Sequence, residues 1–145
     1  MKYALPPFLI SVVTQESYQR WLTRKAAAHV KRDRARGHLC TGANYREAIH
    51  AAVLASDGTD AYTGELLDWR LISKYRNEES ATGRHLYKAG FALLPTVDHV
   101  DAGATEASFR ICSWRTNDAK NDMPVDTFIE LCRKVLVHAG IGVGE

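Results

Sequence analysis

The period of the apolar positions changes several times along the chain, and each change marks a predicted element. From Thr14 to Arg36 the spacing is helical, with Tyr18, Trp21, Leu22, Ala26 and Val30 on one broad face and Gly37 as a stop. Asn44-Tyr45-Arg46-Glu47 resembles a capping box, predicting a second helix to Ala55 with Tyr45, Ile49, Ala52 and Val53 inward, ended by Ser56-Asp57-Gly58. That helix is expected to pack on the first. Leu66 to Tyr75 is ambiguous and is read as a short strand followed by a helix containing Leu71, Ile72 and Tyr75, and Asn77 to Arg84 is polar and read as a loop. Leu93 to Val100 is apolar and β-branched apart from Asp98-His99, the pattern of a strand entering a core. Ser108 to Cys112 alternates as its partner would, across a turn-like 101–107. Ser113 or Thr116 then opens a short helix through Lys120, ended by Asn121-Asp122-Met123-Pro124 because proline disfavours helix at the residue before it. Val125, Phe128, Ile129, Cys132, Val135 and Leu136 repeat at helical spacing, predicting a last helix from about Pro124 to His138 before a glycine-rich, mobile tail.

These elements predict an α+β fold in one domain spanning 1–145. Its helical part covers 1–59, a strand–strand–helix core 60–123, and a last helix and tail 124–145. The core carries the candidate chemistry. His99 follows Asp98 on the first strand, and Asn117 comes eighteen residues after His99, with Lys120 one helical turn further on. An imidazole with an ordinary pKa near ~6.5 can take a proton from water. Oxygens from Asp98 and Asn117 suit a hard divalent ion, magnesium with manganese as a substitute. His99 is therefore the candidate general base, oriented by a backbone carbonyl through its other ring nitrogen. Lys120 is placed to add positive charge beside a phosphate.

Pro95-Thr96-Val97-Asp98-His99-Val100, together with Ile111-Cys112-Ser113-Trp114-Arg115-Thr116-Asn117-Asp118-Ala119-Lys120-Asn121-Asp122, resembles the HNH endonucleases of the ββα-metal superfamily. The resemblance covers roughly residues 60 to 122. It implies a ββα-metal hairpin and helix surrounded by further helices, and cleavage of phosphodiesters to a 5′ phosphate and a 3′ hydroxyl. The family's middle asparagine falls on Ser108, whose hydroxyl can still bond the connecting loop but lacks an amide's reach. Asp60 to Trp69 looks like the segment that precedes the motif in such nucleases, where cysteine pairs often hold zinc. Cys40, Cys112 and Cys132 form no C-x-x-C pair, so no structural zinc is expected and hydrophobic packing is expected to replace it. Cys112 and Cys132 fall at apolar-phase positions and read as buried thiols.

Composition narrows the setting. At 145 residues and 46% hydrophobic the chain can bury a core without cross-links, and its unpaired cysteines fit a reducing, cytoplasmic compartment. Phe8 to Val13 is too short for a membrane span and poor as a secretion signal. A net charge of +2 does not by itself imply a polyanionic partner, but Arg20, Arg24, Lys31 and Arg34 fall within a stripe roughly 80° wide on the first helix and are read as a track for a phosphate backbone. His29 and His38 read as surface residues there. The expected function is metal-dependent hydrolysis of DNA, with RNA open as a substrate and a protein partner or homodimer also open. The alternatives are a catalytically degenerate nucleic-acid-binding module and a nuclease toxin or effector.

Overall fold

A computed structural model describes residues 3–74, 90–100 and 108–144. The expected loop at 77–84, the 101–107 turn, and Tyr75 lie outside the described residues. The described residues form a mixed α+β fold of four α-helices and a two-stranded antiparallel sheet.

The first helix, α1 (Gln15–Ala35), starts where Thr14 turns its side-chain oxygen onto the Ser17 N–H at 3.0 Å. Glu16 in its first turn and Arg32 and Arg34 in its last complement the helix dipole. Helix α2 (Gly42–Ser56) is capped by Thr41 rather than by Asn44, because it begins a turn earlier than the capping-box reading places it. It ends at Asp57 and Gly58, both at positive φ. A Cβ on Gly58 would meet Phe8 at 3.2 Å, and the Gly58 carbonyl accepts the Trp69 indole N–H, so this glycine is required by both backbone and packing.

The two helices share a core. Tyr18, Trp21, Leu22 and Ala26 of α1 meet Ile49 and Val53 of α2, and Trp21 meets Trp69 edge-on at 5.6 Å. Residues 66–75 depart from expectation: Leu66 makes only an isolated bridge to Thr59, and Trp69–Ser73 forms a 3₁₀ turn. Trp69 and Ile72 are drawn inward as anchors, which leaves that backbone no partner strand among the described residues.

Strands β1 (Pro95–His99) and β2 (Phe109–Ser113) pair antiparallel, with Asp98 opposite Arg110 and His99 opposite Phe109. Every residue of β1 is buried, so both its faces are covered. Helix α3 (Trp114–Lys120) follows directly, with Ser113 as N-cap accepting from the Thr116 N–H at 3.0 Å. The buried Asp60 carboxylate pins this junction, accepting N–H groups of Ser113, Tyr62 and Thr63 at 2.9, 2.8 and 3.1 Å. Burial pushes Asp60 up, but these donors and the Thr116 hydroxyl together hold it below the usual carboxylate range. A buried polar clasp thus joins residues 60–63 to the start of α3.

Helix α4 (Val125–His138) has the expected apolar repeat but buries none of its residues. Cys112 is buried as expected and Cys132 is exposed, because the face carrying Cys132 meets nothing among the described residues that would cover it. No helix among the described residues is long and apolar enough to cross a membrane.

Candidate active site

Side chains of successive strand residues point to opposite faces, so Asp98 and His99 enter different surroundings. Asp98 meets Tyr62, whose hydroxyl donates to Oδ2, and Lys120, whose ammonium lies 3.2 Å from Oδ2 and 3.4 Å from Oδ1. Burial, and then the Asp98 carboxylate beside it, push the Tyr62 phenol up, so Tyr62 stays protonated as the donor. Lys120 was expected to face a phosphate. It is instead 1% exposed and paired with Asp98, because one turn of α3 brings it inward beneath β1.

His99 lies on the other face, against α1 and α2. Its Nδ1 sits 3.0 Å from Asp33 Oδ2, without the alignment of a full hydrogen bond, and Nε2 is buried with no hydrogen-bond partner among the described residues. A carboxylate therefore stands where a backbone carbonyl was expected. Asp33 is itself fully buried and also accepts from the Tyr45 hydroxyl at 2.5 Å and from Arg36 at 3.3 Å. Burial and then the bond to Asp33 push the Tyr45 phenol up. Phe109 packs on the His99 ring at 5.0 Å.

His29 is buried rather than superficial, since the inward face of α1 continues through it to Asp33. Its Nε2 lies 3.0 Å from the Val97 carbonyl, which can only accept, so that nitrogen carries a proton. Burial, aided by Arg32, lowers its pKa to about 4 and keeps the ring neutral at ordinary pH.

A cleft of about 560 Å³ wraps the end of β1 and is bordered by Asp98, His99 and Asn117 together with His29, Arg32 and Arg36. Asp118 and Asp122 add carboxylates to its rim. A neighbouring cleft of about 450 Å³ shares Arg32, Asn117 and Asp118 and adds Arg24, Lys25 and Trp114. Lys25 donates to the Thr96 hydroxyl at 3.3 Å, and burial, with Arg24 and Arg32 close by, lowers its pKa to about 8.

Three sequence-predicted residues thus border one cleft, with Lys120 buried behind Asp98. Ser108 does not: it is exposed, and its carbonyl accepts the Val100 N–H at 2.9 Å at the loop end of the hairpin. Of the predicted basic stripe, Arg24 alone lines either of these two clefts. Arg20 pairs with Glu16, Arg34 holds the Cys40 carbonyl at 2.8 Å, and Lys31 is exposed elsewhere on α1. The cations at this cleft are Arg32 and Arg36, which the sequence reading passed over along with Asp33, while it placed His29 at the surface. Their signal was present: 29, 32, 33 and 36 follow i, i+3, i+4, i+7 spacing, one helix face carrying two cations, a histidine and an acid.

The oxygen donors bordering the cleft suit a hard divalent ion. No group of three histidine, cysteine or acidic side chains is arranged to hold a metal among the described residues. A site built on Asp98 and the Asn117 amide, completed by water and substrate oxygens, matches the sparse protein ligation that magnesium accepts. Tyr62 and Lys120 take up part of Asp98, but a carboxylate offers about four acceptor sites. Comparison of the chain with family models, with curated proteins and with solved structures finds no match.

Proposed function

We propose that this chain is a metal-dependent endonuclease that hydrolyses phosphodiester bonds of DNA, built on an HNH-like strand–strand–helix unit. The observation that carries the reading is that Asp98, His99 and Asn117 border one cleft whose wall also presents Arg32 and Arg36. Phosphate would be gripped by the two guanidiniums, which suit its planar oxygen pairs. His99 Nε2, the ring nitrogen without a protein partner, would take the proton from the attacking water, and Asp33 beside Nδ1 would stabilise the imidazolium so formed. Asp98 and Asn117 would hold one magnesium ion, which when bound supplies charge neutralisation at the phosphate and the leaving 3′ oxygen. Lys120 and Tyr62 would fix the orientation of Asp98, making Lys120 a positioning residue instead of a phosphate contact.

Nicking of supercoiled plasmid tests this reading. Magnesium-dependent cutting that chelation stops and His99→Ala abolishes is expected. A second reading, a nucleic-acid-binding module without cleavage, is favoured by the partial occupation of Asp98 by Lys120 and Tyr62. DNA binding by a chain that never nicks would select it.

A further inference from the structure

The cleft of about 450 Å³ beside the candidate active site carries positive charge that the proposed cleavage does not use. Arg24, Ala28 and Arg32 fall in one i, i+4, i+8 row of α1, so the small alanine leaves a hollow between two guanidinium side chains rooted about 12 Å apart. Lys25 lines the same hollow and donates to the Thr96 hydroxyl of β1 at 3.3 Å. Arg24 gives one N–H to the Ile72 carbonyl at 3.4 Å, which leaves most of its five donors open. No carboxylate pairs with any of the three cations among the described residues, although Asp118 of α3 lines the cleft with them. Cations gathered without a counterion repel one another. Lys25 registers this, since burial comes first and then Arg24 and Arg32 lower its pKa to about 8, against a small opposing effect of the Cys112 thiol of β2. Stability alone would not select such a cluster, and a bound anion would relieve it.

Which anion follows from the neighbouring cleft. Arg32, Asn117 and Asp118 border both clefts, so the hollow adjoins the wall formed by Arg32 and Arg36. We infer that this hollow is a second phosphate subsite, seating the phosphodiester next along the strand from the one gripped at Arg32 and Arg36; the inference rests on the proposed reading of that first cleft. Lys25 is its central contact, a compact charge with three donors of which the Thr96 hydroxyl takes one. Arg24 adds a guanidinium to the same phosphate, and Arg32 spans the two.

Lysine-selective carbon NMR of the full chain, with circular dichroism to check the folding of each variant, locates the contact. In the free protein Lys25 is expected to titrate near 8, and saturating inorganic phosphate should raise that midpoint by about one pH unit or more, while chloride at the same ionic strength should not. By titration calorimetry, 5′-phosphorylated dithymidylate, which carries phosphates on neighbouring nucleotides, should bind at least about tenfold tighter than thymidine 5′-phosphate. Lys25→Met should erase that gain and Lys25→Arg should keep most of it. Lys31→Met, at an exposed position of α1 outside either cleft, should leave it whole. A Lys25 midpoint that phosphate does not move overturns the inference, as does a gain that survives Lys25→Met. A gain equally large when the linkage is a neutral methylphosphonate also overturns it, because the cleft would then be seating a base against Trp114. These readouts do not depend on turnover. A chain that passes them without nicking plasmid supports the subsite and fails the cleavage reading, and one that nicks but fails them does the reverse.

Discussion

Helices α1 and α4 invert the usual relation between pattern and burial. α1 draws His29 and Asp33 into the interior with its aromatic face, while α4, whose apolar stripe is cleaner, leaves that stripe bare. The difference lies in what each helix faces. α1 is covered by α2 and β1, and its buried polar groups are retained because Val97, Tyr45, Arg36 and His99 give them partners. Among the described residues α4 has nothing comparable beyond Tyr62. Buried polarity on one helix and exposed apolarity on the other both point to function, since each departs from what stability alone would select.

The largest effect that would break this contrast is on the α1 side of the cleft. His99→Ala should lower plasmid nicking by about 10²–10⁴-fold, the usual worth of a positioned base. Asp33→Asn should retain DNA binding but lower the rate in the same direction and shift its pH profile, and an unchanged profile would reduce Asp33 to a structural residue. Next come matched truncations read by urea unfolding. Trp21→Ala should cost about 3–5 kcal/mol, whereas Leu136→Ala in the isolated monomer should stay within about 0.5 kcal/mol. Equal costs would mean that α4 is covered after all.

A third test uses acid. Folded His29 is held neutral with a pKa lowered from 6.5 to about 4, so between those values the unfolded chain binds a proton that the folded chain refuses. Stability should therefore be full above about pH 6.5, fall as pH drops towards 4 and level off below, by roughly 3 kcal/mol at the limit. In the His29→Gln variant this component should vanish, and a wild type equally stable at pH 7 and pH 5 would contradict it. The smallest expected effect separates the two basic faces of α1. Arg32→Gln and Arg36→Gln should each reduce the salt slope of DNA binding by about 1, and Arg20→Gln should not, since Arg20 lies away from either cleft.

Periodicity alone determined α1, α2, the β1–β2 pairing, α3 and α4 to within a few residues, because caps, glycines and apolar spacing act locally. The Asp98-His99 pair and Asn117 were legible as one group for the same reason, lying on β1 and on the short helix that follows its partner strand. Residues 66–75 were not, since a short apolar run is indifferent between strand and turn until Trp69 and Ile72 find their pockets. Only the tertiary structure decided that Asp33 stands behind His99, that Lys120 turns inward to Asp98, and that Arg32 and Arg36 are the cations bordering the cleft of Asp98 and His99. The Lys120 placement depends on how α3 packs beneath β1, and the other two on where α1 crosses β1, a contact between positions more than sixty residues apart whose geometry no local pattern encodes.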